Sequence, residues 1–239
     1  MCSRLKTVKS GLPTGSSKPT SPRQASHDVV VFDLDGTLSD PLVGIGRSIN
    51  YALSHFGYAE LPLAELAVHV GPPLDQAFST ITGVSSSSAL DGFVTKYRER
   101  YGEIGYSENV LYPDIPAVLH RLSQSGMKLG VCTSKRVDFA EKILKLFGLT
   151  SYFSFVSGGE IGRHKWQQLH ALLEDGVITQ STVMVGDRSV DVTAAHRNGL
   201  DAAGVLWGHG SREELQAEQP RYLFSSPEDL LVLISNAVI

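Results

Sequence analysis

Five short apolar runs, at residues 29–32, 128–132, 153–156, 182–185 and 202–206, restrict this chain to a narrow set of folds. The first reads Val-Val-Val-Phe without polar alternation, as expected of a strand buried on both faces. Helical patterns at 114–125, 137–147, 163–174 and 189–198 alternate with the later runs, and another spans 226–237. Strand and helix in alternation predict an α/β fold: a doubly wound, Rossmann-like parallel sheet with right-handed crossovers. Ligands collect at the carboxyl ends of the strands in such sheets, so chemistry is expected directly after each run.

One interval is too long for this scheme. About 100 residues separate Asp33 from Thr133, whereas a βαβ unit needs roughly 30. The surplus, 42–111, holds helical patterns at 44–57, 74–82 and 88–101 and no convincing strand. It is expected to be an all-helical cap inserted into a core made of 28–41 and 112–239. Residues 1–27 carry Arg4, Lys6, Lys9, Lys18 and Arg23, no acidic residue, and much Ser, Pro and Gly; they read as a disordered tail. Pro13, Pro19 and Pro22 argue against an amphipathic targeting helix there. Cys2 lies in that tail, and Cys132 closes an apolar run, so a buried reduced thiol in a cytoplasmic protein is expected. The formal net charge of −4 gives no reason to expect a nucleic-acid partner. No apolar run approaches the ~20 residues of a membrane span, so no membrane partner is expected either.

The residues at the run ends carry the chemistry. Asp33 and Asp35 follow the first run, and residues two apart in an extended segment point to one side. Paired carboxylates suit a divalent cation, or a division between nucleophile and general acid/base. Gly36 permits an unusual backbone turn, with Thr37 beside it. An Asx turn capping the next helix is the plainer reading, and it is the one adopted for Asp40 before Pro41. After the second run, Thr133, Ser134 and Lys135 offer a hydroxyl and backbone amides to a phosphate, although such hydroxyls are often only helix caps. Lys165 stands near the start of a helical pattern, where a basic cluster is more often solvated surface. Asp187 ends the fourth run and Asp191 lies one helical turn later, on the same face. Two acids so placed repel unless a cation or a lysine lies between them.

Together, DLDGTLSD (33–40), VCTSK (131–135), Lys165 and GDRSVD (186–191) resemble the four motifs of the haloacid dehalogenase superfamily, most closely its phosphoglycolate phosphatase-like members with a helical cap. Trp166 follows Lys165 where many relatives have proline. The resemblance implies a Mg2+-dependent phosphatase for a small phosphomonoester. Asp33 would be the nucleophile and Asp35 the general acid/base. Asp33, the Asp35 carbonyl and Asp187 would hold the metal, Thr133 and Lys165 the phosphoryl oxygens, and Asp191 would orient Lys165 or metal-bound water. A nucleoside 5'-monophosphatase, a sugar-phosphate phosphatase or a phosphomutase shares this pattern. A phosphate-accepting regulatory domain is a different class, opposed by Asp35, the insertion and Asp187. In the cap, Arg47 is a candidate reader of a polar group on the leaving alcohol, and Gly71-Pro72-Pro73 is a candidate stiff loop facing substrate.

Overall fold

The computed structural model describes residues 27–160 and 162–235. Its organising element is β1 (Val29–Phe32), whose four side chains are all buried. The chain continues through β2 (Ser39–Asp40) and the helices α1 (Leu42–His55), α2 (Leu63–Leu66), α3 (Leu74–Thr82) and α4 (Ser87–Glu103). It returns through β3 (Val110–Leu111), α5 (Ile115–Gln124), β4 (Lys128–Cys132), α6 (Val137–Leu146) and β5 (Phe155–Ser157). It ends with α7 (Lys165–Glu174), β6 (Thr182–Gly186), α8 (Ser189–Arg197), β7 (Asp201–Val205), α9 (Arg212–Ala217), β8 (Tyr222–Phe224) and α10 (Val232–Ser235).

Six strands form one parallel sheet in the order β5-β4-β1-β6-β7-β8. Val29 pairs with Lys128 on one side and Thr182 on the other, and Phe32 likewise with Val131 and Val185. The chain winds outward from β1 to β5, then from β6 to β8, so its direction reverses beside β1. The loops leaving β1 and β6 therefore part there and open the crevice in which doubly wound sheets bind ligands.

Alternation along β1 supplies two cores. Val30 and Phe32 face one layer, with Val118, Leu119 and Leu122 of α5 and Ile143 and Leu144 of α6. Val29 and Val31 face the other, with Leu169 of α7 and Val192 and Ala195 of α8. A third cluster joins Ile49 and Leu53 of α1, Phe78 of α3, and Phe93, Tyr97 and Tyr101 of α4. Phe139 of α6 belongs to that cluster as well, so the inserted helices rest on a core helix. Pro41, Pro62 and Pro73 immediately precede α1, α2 and α3, where a missing N–H costs no helical bond.

The structure departs from the sequence reading in four places. Residues 42–111 are not free of strand: Val110–Leu111 pairs antiparallel with Ser39–Asp40, so the chain enters and leaves the insertion through a two-stranded ribbon. A pair of residues is too short to show alternation. The sheet has a sixth strand, β8, a three-residue edge strand with the same difficulty. Residues 226–237, read as one helix, begin with a 3-10 turn at Pro227–Leu231 before α10, and 236–237 lie outside the described residues. His27, assigned to the tail, is buried and lies 2.8 Å from the Asp201 carboxylate. The rest of the tail, with Cys2, lies outside the described residues. Among the described residues no helix is long and apolar enough to cross a membrane.

The central position of β1 is checked by Phe32→Ala. Removing this fully buried ring, which also meets Phe153 edge-on, is expected to cost about 3–5 kcal/mol in urea unfolding. Val68→Ala, at a 69% exposed position, is expected to change stability by no more than about 0.5 kcal/mol.

Candidate active site

Asp33 is held at the carboxyl end of the central strand because its N–H donates to Val185 O at 2.9 Å, extending the β1–β6 ladder past β1. The chain then turns rather than staying extended. The amides of Leu38 and Ser39 both donate to Leu34 O, at 2.9 and 3.1 Å. Gly36 adopts φ +79, and a Cβ there would lie 2.1 Å from Asp187 Oδ2, so glycine is required by both conformation and space. This turn, not the strand geometry expected from sequence, places Asp35 within electrostatic reach of Asp33.

Asp187 follows directly on β6 and Asp191 comes from the first turn of α8; both are almost completely buried. Gly186 lets Asp191 fold back, since a Cβ at 186 would lie 2.1 Å from its Cγ. Carboxylate oxygens of Asp33, Asp187 and Asp191 all lie within 4.8 Å of one another. Lys165, the first residue of α7, enters this group: its Nζ donates to Asp191 Oδ1 and lies 2.9 Å from Asp33 Oδ2. Trp166 therefore does not displace the lysine from the position that the resemblance implied.

Three buried carboxylates against one buried ammonium leave an excess of negative charge. Burial, reinforced by Asp191 and Asp33, pushes the Asp187 carboxyl up to about 7. Burial also raises Asp191, with Lys165 opposing it. Carboxyls that resist ionising in the protein alone are those that a bound cation stabilises. The donors are hard oxygens, so the cluster fits a magnesium-sized divalent ion. Asp187 is further fixed by the His209 N–H at 2.8 Å, and Thr37 Oγ1 lies 3.5 Å from its other oxygen.

Thr133, at the end of β4, is buried, and its N–H donates to Ser157 O at 2.9 Å. Its Oγ1 accepts the Lys135 N–H at 3.2 Å, bending the loop; α6 starts only at Val137, so Thr133 is not its cap. Ser134 is exposed. The Lys135 side chain turns inward, 2.8 Å from Asp35 Oδ2, and donates to the Tyr101 hydroxyl of α4 at 2.7 Å. Burial raises the Asp35 carboxyl above its ordinary value, and the Lys135 ammonium opposes the rise.

Arg47 does not join the site. Its side chain is 57% exposed and bonded at 2.7 Å to Glu108, which also holds Arg100. The plainer reading of Arg47, an exposed surface arginine, describes its position. Several neighbours were missed from sequence. Arg188 Nη1 donates to Val70 O at 2.9 Å, joining the motif after β6 to the Gly71-Pro72-Pro73 loop. Trp207 Nε1 donates to Thr37 O at 3.0 Å. A Cβ at Gly208 would lie 2.4 Å from Asp187 Cβ, and one at Gly210 1.8 Å from Asp187 O. The only signal for this last segment was its Gly-His-Gly spelling.

Residues 30–205 match the family described as haloacid dehalogenase-like hydrolase. A 5'-nucleotidase of Pseudomonas aeruginosa is 39% identical over 81% of this chain and 89% of its own length. The tyrosine-protein kinase PtkA of Mycobacterium tuberculosis is 36% identical over 77% of this chain, which spans 64% of that longer protein. A phosphoglycolate phosphatase of Aquifex aeolicus is 28% identical over 88% of this chain and 98% of its own length. Among solved structures, a phosphatase from Clostridium difficile superposes with a TM-score of 0.80 at 34% identity, covering 87% of this chain and 99% of that one. Family match, relatives and sheet agree: the chain belongs to the haloacid dehalogenase-like hydrolases, and among them it is a phosphatase.

Proposed function

We propose that this phosphatase hydrolyses a small phosphomonoester through an aspartyl phosphate on Asp33, and that it is magnesium-dependent. The observation carrying this reading is the division of labour between two carboxylates. Asp33 lies beside Lys165 in the acidic cluster, whereas Asp35 is drawn to Lys135. One carboxylate is placed to attack and the other to carry a proton.

A phosphoryl group in front of Asp33 meets Lys165 Nζ and the Thr133 hydroxyl, with the exposed Ser134 at the rim and the buried Gly36-Thr37 turn beside Asp187. Asp191 positions Lys165. Asp33, the Asp35 carbonyl and Asp187 would hold magnesium, which when bound neutralises charge on the phosphoryl oxygens and the crowded carboxylates. An Asp33 oxygen attacks phosphorus, and the ester P–O bond breaks. Asp35 gives its proton to the departing alkoxide. The same carboxylate then takes a proton from water as that water attacks the aspartyl phosphate and frees phosphate. Its upward-shifted carboxyl suits both transfers.

The helices α1–α4 serve in this reading as a cap over the strand ends, with the Arg188–Val70 bond tying the Gly71-Pro72-Pro73 loop to the site. The leaving group is that of a phosphoglycolate-like ester. A nucleoside 5'-monophosphate is the second reading, favoured by the name of the Pseudomonas relative. We place the reaction in the cytoplasm, in keeping with Cys132, a buried free thiol that burial pushes up to about 12.

A panel of phosphomonoesters assayed with magnesium tests this function. Hydrolysis should stop in EDTA and return with magnesium, but poorly with calcium, whose looser coordination misplaces the nucleophile. Full activity in excess chelator would refute the metal dependence. Asp33→Asn should lower kcat by at least about 10³-fold. Magnesium should raise the Tm of the wild type more at pH 7.5 than at pH 5.5, because Asp187 must lose its proton to bind. Asp187→Ala should remove most of that rise. Arg47→Ala should change kcat/KM by less than about threefold on every ester, in line with an exposed ion pair worth ~0–1 kcal/mol.

A further inference from the structure

We propose that Arg188 is a positioning residue of this phosphatase, latching the Gly71-Pro72-Pro73 side of the inserted helices to the acidic cluster, with Glu214 of α9 holding it to that task. What the latch does to turnover rests on the phosphatase reading; the tie itself does not. Among the described residues two side-chain hydrogen bonds join residues 42–109 to 112–235: Lys135 to the Tyr101 hydroxyl, and Arg188 to Val70 O. The first is backed by apolar packing, since Phe139 of α6 meets Tyr101 and Tyr106. The second reaches across 118 residues of sequence to the loop before α3.

The Val70 carbonyl cannot be satisfied by its own turn. The residues that would close a tight turn on it, two and three positions on, are Pro72 and Pro73, and neither has an N–H. No backbone N–H among the described residues reaches it. Val70 is itself buried, packed with Leu66 and Phe78 in the core of the inserted helices, so its carbonyl moves with that core. Gly71, at φ +102, leaves the guanidinium room, because a Cβ there would lie 3.3 Å from Arg188 Nη1. Closed against the sheet's loops, this carbonyl needs an outside donor; only when the loop lifts does water replace it. The bond therefore separates two positions of the inserted helices.

Arg188 is equipped for this by its own anchorage. Its backbone N–H donates to Asp191 Oδ2 at 3.1 Å, and it follows Asp187 directly, so its side chain starts from the acidic cluster. Its Nε donates to Glu214 Oε1 at 3.0 Å. The same oxygen accepts the Ser189 N–H at 2.8 Å and the Ser189 hydroxyl at 2.9 Å. Glu214 thus aligns the planar guanidinium along one edge and leaves Nη1 for Val70 O at 2.9 Å. None of these contacts involves a substrate atom, so Arg188 acts through where it puts the loop.

Hydrogen exchange and steady-state kinetics of Arg188→Met test the latch, since methionine keeps much of the stem and removes every donor. Amide exchange across residues 66–78 should speed up by at least about tenfold, the range lost with a charge-assisted hydrogen bond, while 93–101 of α4 and 182–186 of β6 stay within about twofold of wild type. On the best phosphomonoester KM should rise by about tenfold or more and kcat change by less than about threefold, because in this reading bound substrate spans both parts and restores closure at saturation. Glu214→Gln, at a residue that contacts neither Val70 nor the three acids, should move both readouts the same way by a smaller factor. It decides the question where Arg188→Met fails to fold. Unchanged exchange at 66–78 in the folded variants overturns the proposal. So does a collapse of kcat with KM unchanged, the signature of structural damage at Asp187. Faster exchange at 66–78 in a protein that hydrolyses no phosphomonoester upholds the tie and strikes instead at the phosphatase reading.

Discussion

The pairing of buried Lys165 with Asp33 and Asp191, beside a third buried acid, is the constraint around which the rest is arranged. Carboxylates desolvated together strongly favour protonation or dispersal. Their collection at the end of β1 therefore requires compensating charge, which one lysine supplies only in part. The unbalanced remainder is what distinguishes the cluster from a structural ion pair and what fits it to a divalent cation. The proposed metal would offset this imbalance; without it the carboxylates would repel the phosphoryl oxygens.

The fold makes the crowding possible by topology and by the absence of side chains. Reversal of winding direction beside β1 brings the ends of β1 and β6 together although 150 residues separate Thr37 from Asp187 in sequence. Gly36, Gly186, Gly208 and Gly210 then clear space around Asp187 and Asp191, each at a point where a Cβ would collide with a carboxylate or its backbone. The paired strands β2 and β3 lead α1–α4 out from the same end of the sheet, so Tyr101 arrives near Asp35.

Much of this was legible because it is local. An all-apolar run followed by Asp-Leu-Asp-Gly-Thr, and another followed by Gly-Asp, state strand, end and acid in one short window. Lys165 is different: it opens α7 well beyond the end of β5, its basic cluster read as surface, and only the family resemblance pointed to it. What was not legible depends on distant segments. Lys135 was visible as a lysine after Thr-Ser, but its hold on Asp35 and Tyr101 needs α4 in place. His209 approaches Asp187 through a backbone N–H that no residue type announces. Arg47 shows the converse: closeness in sequence to the first motif suggested a role, and Glu108, 61 residues away, holds it elsewhere.

The central claim is that phosphate passes through Asp33. Acid quench of the enzyme with magnesium and p-nitrophenyl phosphate, followed by mass spectrometry of the peptides, tests it most directly. Asp35→Asn is the variant of choice, because p-nitrophenolate leaves with little need of a proton while hydrolysis of the adduct lacks its base. A phosphoryl adduct on Asp33 that accumulates in this variant is the predicted result. Sustained turnover with no adduct at Asp33 on any timescale would contradict it.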